Sequence, residues 1–151
     1  MQETYGLEVY LEPGEAIALN AGTLLTEVLE IVENEKKIAI LDTSAACHMP
    51  DVLENALPSP CERQRAAGRK SCTVRLAGPT CLAGDVIGDY SFDTPLKPGD
   101  QVVLEDMALY TMVKTNTFNG MPLPDIVWEG IDGKRKLVKR FGYEDFKNRL
   151  S

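Results

Sequence analysis

Short apolar runs separated by turn-forming residues recur along this chain, a pattern typical of β structure. Residues 7–11 make the first run, and the Glu-Pro-Gly at 12–14 ends it, because proline removes a backbone donor and glycine permits a turn. Segments at about 22–33 and 36–43 predict the two strands of a hairpin. The predicted core positions in its second strand are Ile38, Ile40 and Leu41.

The rest of the chain continues this alternation. Further strands are predicted at 71–76, 101–104, 126–129 and 136–138. A proline-rich turn at 95–100 precedes one of them, and Asp-Gly-Lys at 132–134 predicts a tight hairpin. The apolar spacing of residues 143–150 instead fits a helix. Residues 55–70 sustain neither period and hold four basic residues, which predicts a surface connection.

Many short strands divided by turns predict a mainly-β domain, either an antiparallel barrel or a sandwich. The 151 residues are enough to bury a core of their own. Four cysteines without a Cys-x-x-Cys pair, and a single histidine, argue against a metal site. No signal peptide or membrane-length apolar run is recognisable, so we expect a cytoplasmic protein with reduced thiols. The net charge of −7 disfavours nucleic acid and suits a cationic small molecule.

Candidate chemistry is concentrated in residues 78–85, Gly-Pro-Thr-Cys-Leu-Ala-Gly-Asp, directly after a predicted strand. Pro79 fixes φ and lacks a backbone donor, and the glycines at 78 and 84 permit backbone conformations that other residues avoid. The segment is therefore predicted to be a shaped loop that presents Cys81 and Asp85.

Several segments together resemble the pyridoxal-phosphate decarboxylases of the alanine-racemase-like fold, which act on ornithine, arginine, diaminopimelate and carboxynorspermidine. These segments are residues 10–16, 48–54, 78–85, 106–111 and 118–122. They are most similar to the carboxynorspermidine branch of the family. The resemblance implies the C-terminal part of a carboxy-lyase of polyamine biosynthesis, which converts carboxynorspermidine or carboxyspermidine to norspermidine or spermidine with pyridoxal 5'-phosphate as cofactor.

The resemblance also implies a division into domains. In this family an N-terminal (β/α)8 barrel holds the lysine that binds the cofactor, and 151 residues leave no room for it. Residues 1–14 would be a remnant of that barrel, with its last strand at 7–12, and residues 15–151 a Greek-key-like antiparallel β barrel. The active site would lie at a homodimer interface, and this chain alone would be inactive. The sequence leaves open whether Met1 is a native start or a fragment boundary.

Three residues resemble the family's cofactor-binding positions. Glu12 would place a carboxylate beside the pyridine nitrogen, because a protonated ring is the better electron sink. Gly14 would let the backbone approach the phosphate, and the Tyr110 hydroxyl would contact it. The alternatives are a solvated strand-ending turn for Glu-Pro-Gly and a core aromatic for Tyr110.

Cys81 matches the cysteine that these enzymes offer across the dimer interface, where it returns a proton to the former α-carbon. A thiol suits this step because it can release a proton near neutral pH. The resemblance places Asp85 at the same interface, in contact with the substrate or the partner subunit. The other cysteines, Cys47, Cys61 and Cys72, are expected to behave as small apolar residues.

Substrate contacts are implied for a further set of residues. Glu15 replaces an arginine common in the ornithine and diaminopimelate enzymes, and a carboxylate there suits an ammonium group. Asp51 could add a second carboxylate, or simply form a turn after proline. Phe118 would line the substrate channel, and Leu82 stands where those relatives carry an acid. His48 is either a general base or a hydrogen-bonded structural residue.

Two other functions remain open from the sequence. One is a stand-alone β-barrel binding module without catalysis. The other is a decarboxylase of another amino acid, such as diaminopimelate, although Glu15 and Leu82 argue against it.

We predict that the isolated chain binds pyridoxal phosphate weakly and forms no covalent bond to it, because no lysine stands in a recognisable attachment context. The lysines are at 36, 37, 70, 97, 114, 134, 136, 139 and 147. Absorbance of the mixture before and after borohydride reduction, followed by peptide mapping, tests this. A reduced cofactor mapped to one of these lysines would contradict the prediction.

Overall fold

The computed structural model describes residues 2–55, 65–66 and 72–150. Six strands form one sheet in the order β3-β5-β4-β2-β1-β6, and two more form a separate sheet. The strands of the large sheet are β1 (Leu24–Asn34), β2 (Lys36–Leu41), β3 (Arg65–Ala66), β4 (Cys72–Ala77), β5 (Val86–Phe92) and β6 (Gln101–Leu104). The small sheet pairs β7 (Ile126–Glu129) with β8 (Arg135–Lys139).

Short helices occupy the segments between and beyond the strands. They are α1 (Gln2–Tyr5), α2 (Glu15–Ala18), α3 (Ala45–His48), α4 (Pro50–Asn55) and α5 (Tyr143–Leu150). Two 3-10 turns lie at Met112–Lys114 and Phe118–Gly120. Among the described residues, no helix has the length and apolar character needed to cross a membrane.

The predicted hairpin is confirmed: β1 and β2 are antiparallel and turn at Glu35, which has a positive φ of 59°. Its core differs in detail from the prediction. Leu41 and Ala39 are fully buried, whereas Ile38 and Ile40 are only half-buried. The reason is the two-residue period of a strand, which points Ala39 and Leu41 to one face and the two isoleucines to the other.

One pair of strands is parallel. β2 and β4 run side by side in the same direction, with Ile38 opposite Arg75 and Ile40 opposite Ala77. A parallel pair needs a long crossover, and α3 and α4 lie within this one. The segments that leave the carboxyl ends of β2 and β4 therefore start from the same edge of the sheet, which brings α3 next to the loop at 78–85.

The mainly-β class is confirmed, within a mixed sheet. The strands predicted at 71–76, 101–104, 126–129 and 136–138, and the helix at 143–150, correspond to β4, β6, β7, β8 and α5. The sequence did not predict β3, β5 or the short helices α1 to α4. Most of the connection predicted at 55–70 lies outside the described residues.

Residues 7–12 do not form the strand that the sequence predicted. They belong to no helix or strand and are exposed, with Val9 62% accessible and Leu11 81% accessible. A single extended segment cannot satisfy its backbone donors and acceptors without a neighbouring strand, and none of the described strands pairs with it.

Candidate active site

The carboxylate of Asp85 is the buried polar centre of the site. The residue is only 3% exposed, yet both carboxylate oxygens have donors. Oδ1 accepts from the Ala45 backbone N–H at 2.7 Å and from the Ser44 hydroxyl at 3.0 Å. Oδ2 accepts from the Thr80 hydroxyl at 2.5 Å and its backbone N–H at 3.3 Å. One side chain thus ties the loop at 78–85 to the first turn of α3.

Gly78 is required by this arrangement. A Cβ atom at position 78 would lie 2.6 Å from Asp85 Cγ, closer than real Cβ atoms approach. The Gly78 N–H also donates to the Asp85 carbonyl at 2.8 Å, which closes the base of the loop. The sequence predicted that Gly78 provides backbone freedom. The structure shows that a glycine is needed there because a larger residue would occupy the space of the Asp85 carboxylate.

This placement changes the interpretation of Asp85. The sequence predicted a contact with substrate or with a partner subunit, but the carboxylate is enclosed and bonded to its own chain. We conclude that Asp85 holds the loop in shape. Cys81, four residues earlier, is exposed at the tip of that loop.

The other end of α3 holds a second loop. The Cys47 carbonyl accepts from the Asn116 N–H at 2.9 Å, and the Ala46 carbonyl accepts from Asn116 Nδ2 at 2.8 Å. The Cys47 thiol donates to the Phe118 carbonyl at 3.4 Å. Cys47 is fully buried, as predicted, and this burial raises the pKa of its thiol. The segment that carries Phe118 is thereby fixed against the same helix as the Cys81 loop.

His48 also connects α3 to the second loop, through Pro122. The tautomer of its imidazole follows from its hydrogen-bond partners. Nδ1 accepts from the Ser44 N–H at 3.1 Å, so the proton resides on Nε2, which donates to the Pro122 carbonyl at 2.9 Å. The residue is 4% exposed, and burial lowers the pKa of its imidazole. Of the two roles that the sequence left open, the geometry supports the structural one.

The two loops meet at Cys81. Its Sγ lies 3.5 Å from Oδ1 of Asn119, to which the sequence assigned no role. Phe118 is 48% exposed and lies beside Asn119 in the wall of a cleft of about 650 Å³. Phe146 and Arg149 of α5 line the same cleft.

Lys114 links two of the predicted site residues. Its Nζ lies 2.5 Å from Glu54 Oε2 and 3.6 Å from Asp51 Oδ1, and 5.4 Å from the centre of the Tyr110 ring. The hydrogen bond to Glu54 raises the pKa of Lys114. Asp51 and Tyr110 therefore share one cation, which no sequence motif indicated.

A family model described as the C-terminal sheet domain of pyridoxal-dependent decarboxylases matches residues 9–108. The chain belongs to the pyridoxal-dependent decarboxylase family. The match includes α3 and the whole Cys81 loop, and it confirms the family that the sequence segments resembled.

Related proteins agree with this assignment. A carboxynorspermidine/carboxyspermidine decarboxylase of Campylobacter jejuni is 42% identical over an alignment that covers 95% of this chain and 41% of the relative. A carboxyaminopropylagmatine decarboxylase of Synechocystis is 46% identical, with 95% of this chain and 38% of the relative covered. The chain thus spans about 40% of the length of these curated relatives.

Solved structures show the same fold. The crystal structure of carboxynorspermidine decarboxylase from C. jejuni complexed with norspermidine has a TM-score of 0.86 to this chain at 40% identity. That superposition covers 98% of this chain and 43% of the other. A diaminopimelate decarboxylase from M. jannaschii has a TM-score of 0.73 at 22% identity, which shows a shared fold.

The cofactor of this decarboxylase family is pyridoxal phosphate. The residues predicted to hold it lie open on the surface of this chain: Tyr110 is 56% exposed, and a Cβ at Gly14 would meet nothing within 4 Å. The carboxylates of Glu12 and Glu15 are exposed and make no hydrogen bond or ion pair within the described part of the chain. The open backbone at Gly14 and the Tyr110 hydroxyl suit a phosphate that approaches from outside the domain, and the Glu12 carboxylate suits a protonated ring nitrogen.

Gly78→Ala should destabilise the decarboxylase domain by at least about 2 kcal/mol, because the new methyl group displaces the Asp85 carboxylate from its buried donors. Gly84→Ala in the same loop is the matched control, since its Cβ would meet nothing within 4 Å. We expect the control to stay within about 0.5 kcal/mol of the parent. Urea unfolding followed by circular dichroism measures both, and equal losses in the two variants would refute the packing argument.

His48 should make stability depend on pH. Burial places the pKa of His48 in the folded chain below its unfolded value of about 6.5. Between these two pKa values the unfolded chain binds more protons than the folded chain. The contribution of His48 to the free energy of unfolding is therefore fully present above about pH 6.5, and it decreases as the pH falls below that value. Protonation would also set an N–H at Nδ1 against the Ser44 N–H.

Urea unfolding at intervals from about pH 7.5 to about pH 5.5 tests this, with His48→Gln as the comparison. In the variant, the free energy of unfolding should no longer show the decrease with falling pH that His48 causes. If both proteins lose stability in parallel over this range, another group is responsible.

Proposed function

We propose that this chain supplies the C-terminal half of a composite active site that decarboxylates carboxynorspermidine or carboxyspermidine in polyamine biosynthesis. The observation that carries the proposal is an exposed thiol, Cys81, on a loop held rigidly by a buried carboxylate. Catalytic groups need such fixed positions. The likeness to the C. jejuni relative, at 42% identity, supports the substrate class.

The proposed active site also requires a second domain that contacts the N-terminal segment of this chain. The N-terminal segment exposes a set of large apolar side chains. They are Tyr5, Leu7, Val9, Tyr10, Leu11 and Ile17. Contiguous exposed apolar groups of this kind mark contact surfaces. We propose that residues 1–14 join the (β/α)8 barrel, that residues 15–151 are the C-terminal domain, and that a homodimer in the cytoplasm is the active form.

The residues of this chain would divide the chemistry as follows. Bound pyridoxal phosphate supplies the electron sink that makes loss of carbon dioxide possible. Glu12 would hold the pyridine nitrogen protonated, while Gly14 and the Tyr110 hydroxyl would bind the phosphate. Cys81 of one subunit would then deliver a proton to the former α-carbon in the partner's site.

The substrate's amino groups call for carboxylates. Glu15 is exposed and has no described ion-pair partner, so it is available to an ammonium group. Asp51 already has Lys114 at 3.6 Å, so a substrate amine would have to compete with that lysine. Phe118, at the cleft, would line the path to Cys81.

Carboxyaminopropylagmatine is a third candidate substrate for the same reaction. The Synechocystis relative named for it is 46% identical to this chain over 95% of its length. All three candidates carry a cationic amine chain, which suits the exposed carboxylate of Glu15.

A chimera tests the function. It joins the N-terminal barrel of the C. jejuni relative to this chain, which replaces the relative's own C-terminal part. We expect carbon dioxide release from carboxynorspermidine, carboxyspermidine or carboxyaminopropylagmatine, and a loss of at least about tenfold in kcat on Cys81→Ala. Cys72→Ala, elsewhere on the sheet, is the control and should stay active. A folded, cofactor-loaded chimera without activity on any of the three would favour a non-catalytic binding module.

The same chimera tests whether Cys81 acts across the interface. One subunit carries Cys81→Ala and the other lacks the barrel lysine, so a heterodimer keeps one complete site. Purified heterodimers should recover about half of the parent activity. If they recover none, Cys81 serves its own subunit.

A further inference from the structure

Asn119 has an unusual backbone conformation. Its φ of 60° and ψ of 18° lie in the left-handed region, which residues other than glycine seldom adopt. Asparagine tolerates this region better than most residues, but glycine does so without strain. An asparagine at such a position therefore invites the question of what its side chain does.

The side chain reaches the sulfur of the predicted catalytic thiol. Asn119 Oδ1 lies 3.5 Å from Cys81 Sγ, across 38 positions of sequence, within the range of a hydrogen bond to sulfur. A primary amide is suited to both states of a thiol. Its oxygen can accept from S–H, and after rotation its N–H can donate to a thiolate.

This contact is held by the scaffold on both sides. The Cys81 loop is tied to α3 through Asp85, and the 116–120 segment is tied to α3 through Asn116 and Cys47. Within that segment the Phe118 N–H donates to Asn116 Oδ1 at 3.0 Å. A weak bond to sulfur could not by itself fix the distance, but these backbone contacts can.

We propose that Asn119 is a positioning residue for Cys81. Its amide oxygen accepts from the Cys81 S–H, and Asn119 itself lines the cleft together with Phe118. When the proton leaves, the S–H bond breaks, its electron pair stays on sulfur, and a C–H bond forms at the former α-carbon. The rotated amide N–H then stabilises the thiolate until water returns the proton. This inference rests on the proposed role of Cys81.

The isolated chain gives a test that needs no enzymatic activity. Iodoacetamide alkylates the thiolate form, and peptide mass spectrometry resolves each cysteine. Asn119→Gly keeps the backbone conformation and removes the amide, so alkylation of Cys81 should slow about threefold. The isosteric Asn119→Asp places a negative charge beside the sulfur and should slow it about tenfold.

Other cysteines in the same molecule serve as the internal control. Buried Cys47 belongs to α3 and bonds to the 116–120 segment, so its alkylation would rise if a variant loosened the site. We expect Cys47 and Cys72 to react as in the parent. A Cys81 rate in Asn119→Gly equal to or above that of the parent, with Cys47 still protected, would overturn the proposal.

The active chimera gives a second readout. Asn119→Gly should lower kcat with little change in KM, and it should have no further effect once Cys81 is alanine, because the amide acts through the thiol. A merely structural residue would lower kcat by the same factor in both backgrounds. If the chimera is inactive, the proposed function fails while the alkylation rates still decide the role of Asn119.

Discussion

The hydrogen bonds to the Asp85 carboxylate determine how the Cys81 loop is placed against α3. A buried carboxylate is costly unless its oxygens are satisfied, and here Ser44, Ala45 and Thr80 provide the donors. Those donors belong to two segments that are distant in sequence. Satisfying the charge therefore forces the segments together, and Gly78 leaves the space in which this can happen.

The short helix α3 is the shared support of both loops. Its first turn and the preceding Ser44 bond to Asp85, while Cys47 and His48 bond to the segment that runs from Asn116 to Pro122. A four-residue helix has almost no stability of its own. It persists because its polar groups are used by the loops on either side. The exposed thiol of Cys81 and the cleft beside Phe118 owe their relative position to this arrangement.

The site has a rigid half and an open half. The Cys81 loop and the 116–120 segment are fixed within the domain, whereas Glu12, Gly14 and Glu15 lie on an exposed segment with few internal contacts. Tyr110 lies beside Lys114, which also pairs with the acidic residues Asp51 and Glu54. Such a division is what a domain supplying part of an active site requires, since the open residues can take their positions from the body that they meet.

The sequence by itself determined the local features. Alternating apolar residues and turn signals predicted the hairpin, β4, β6 to β8 and α5. Five segments together indicated the family, and the one at 78–85 indicated the exposed cysteine. Tertiary structure decided what depends on distant contacts. The parallel pairing of β2 with β4 puts α3 beside the Cys81 loop, and no local pattern encodes that pairing, because it joins strands separated by a crossover. For the same reason the sequence could not show that Asp85 is buried, that His48 bonds to Ser44 and Pro122, or that Asn119 reaches Cys81.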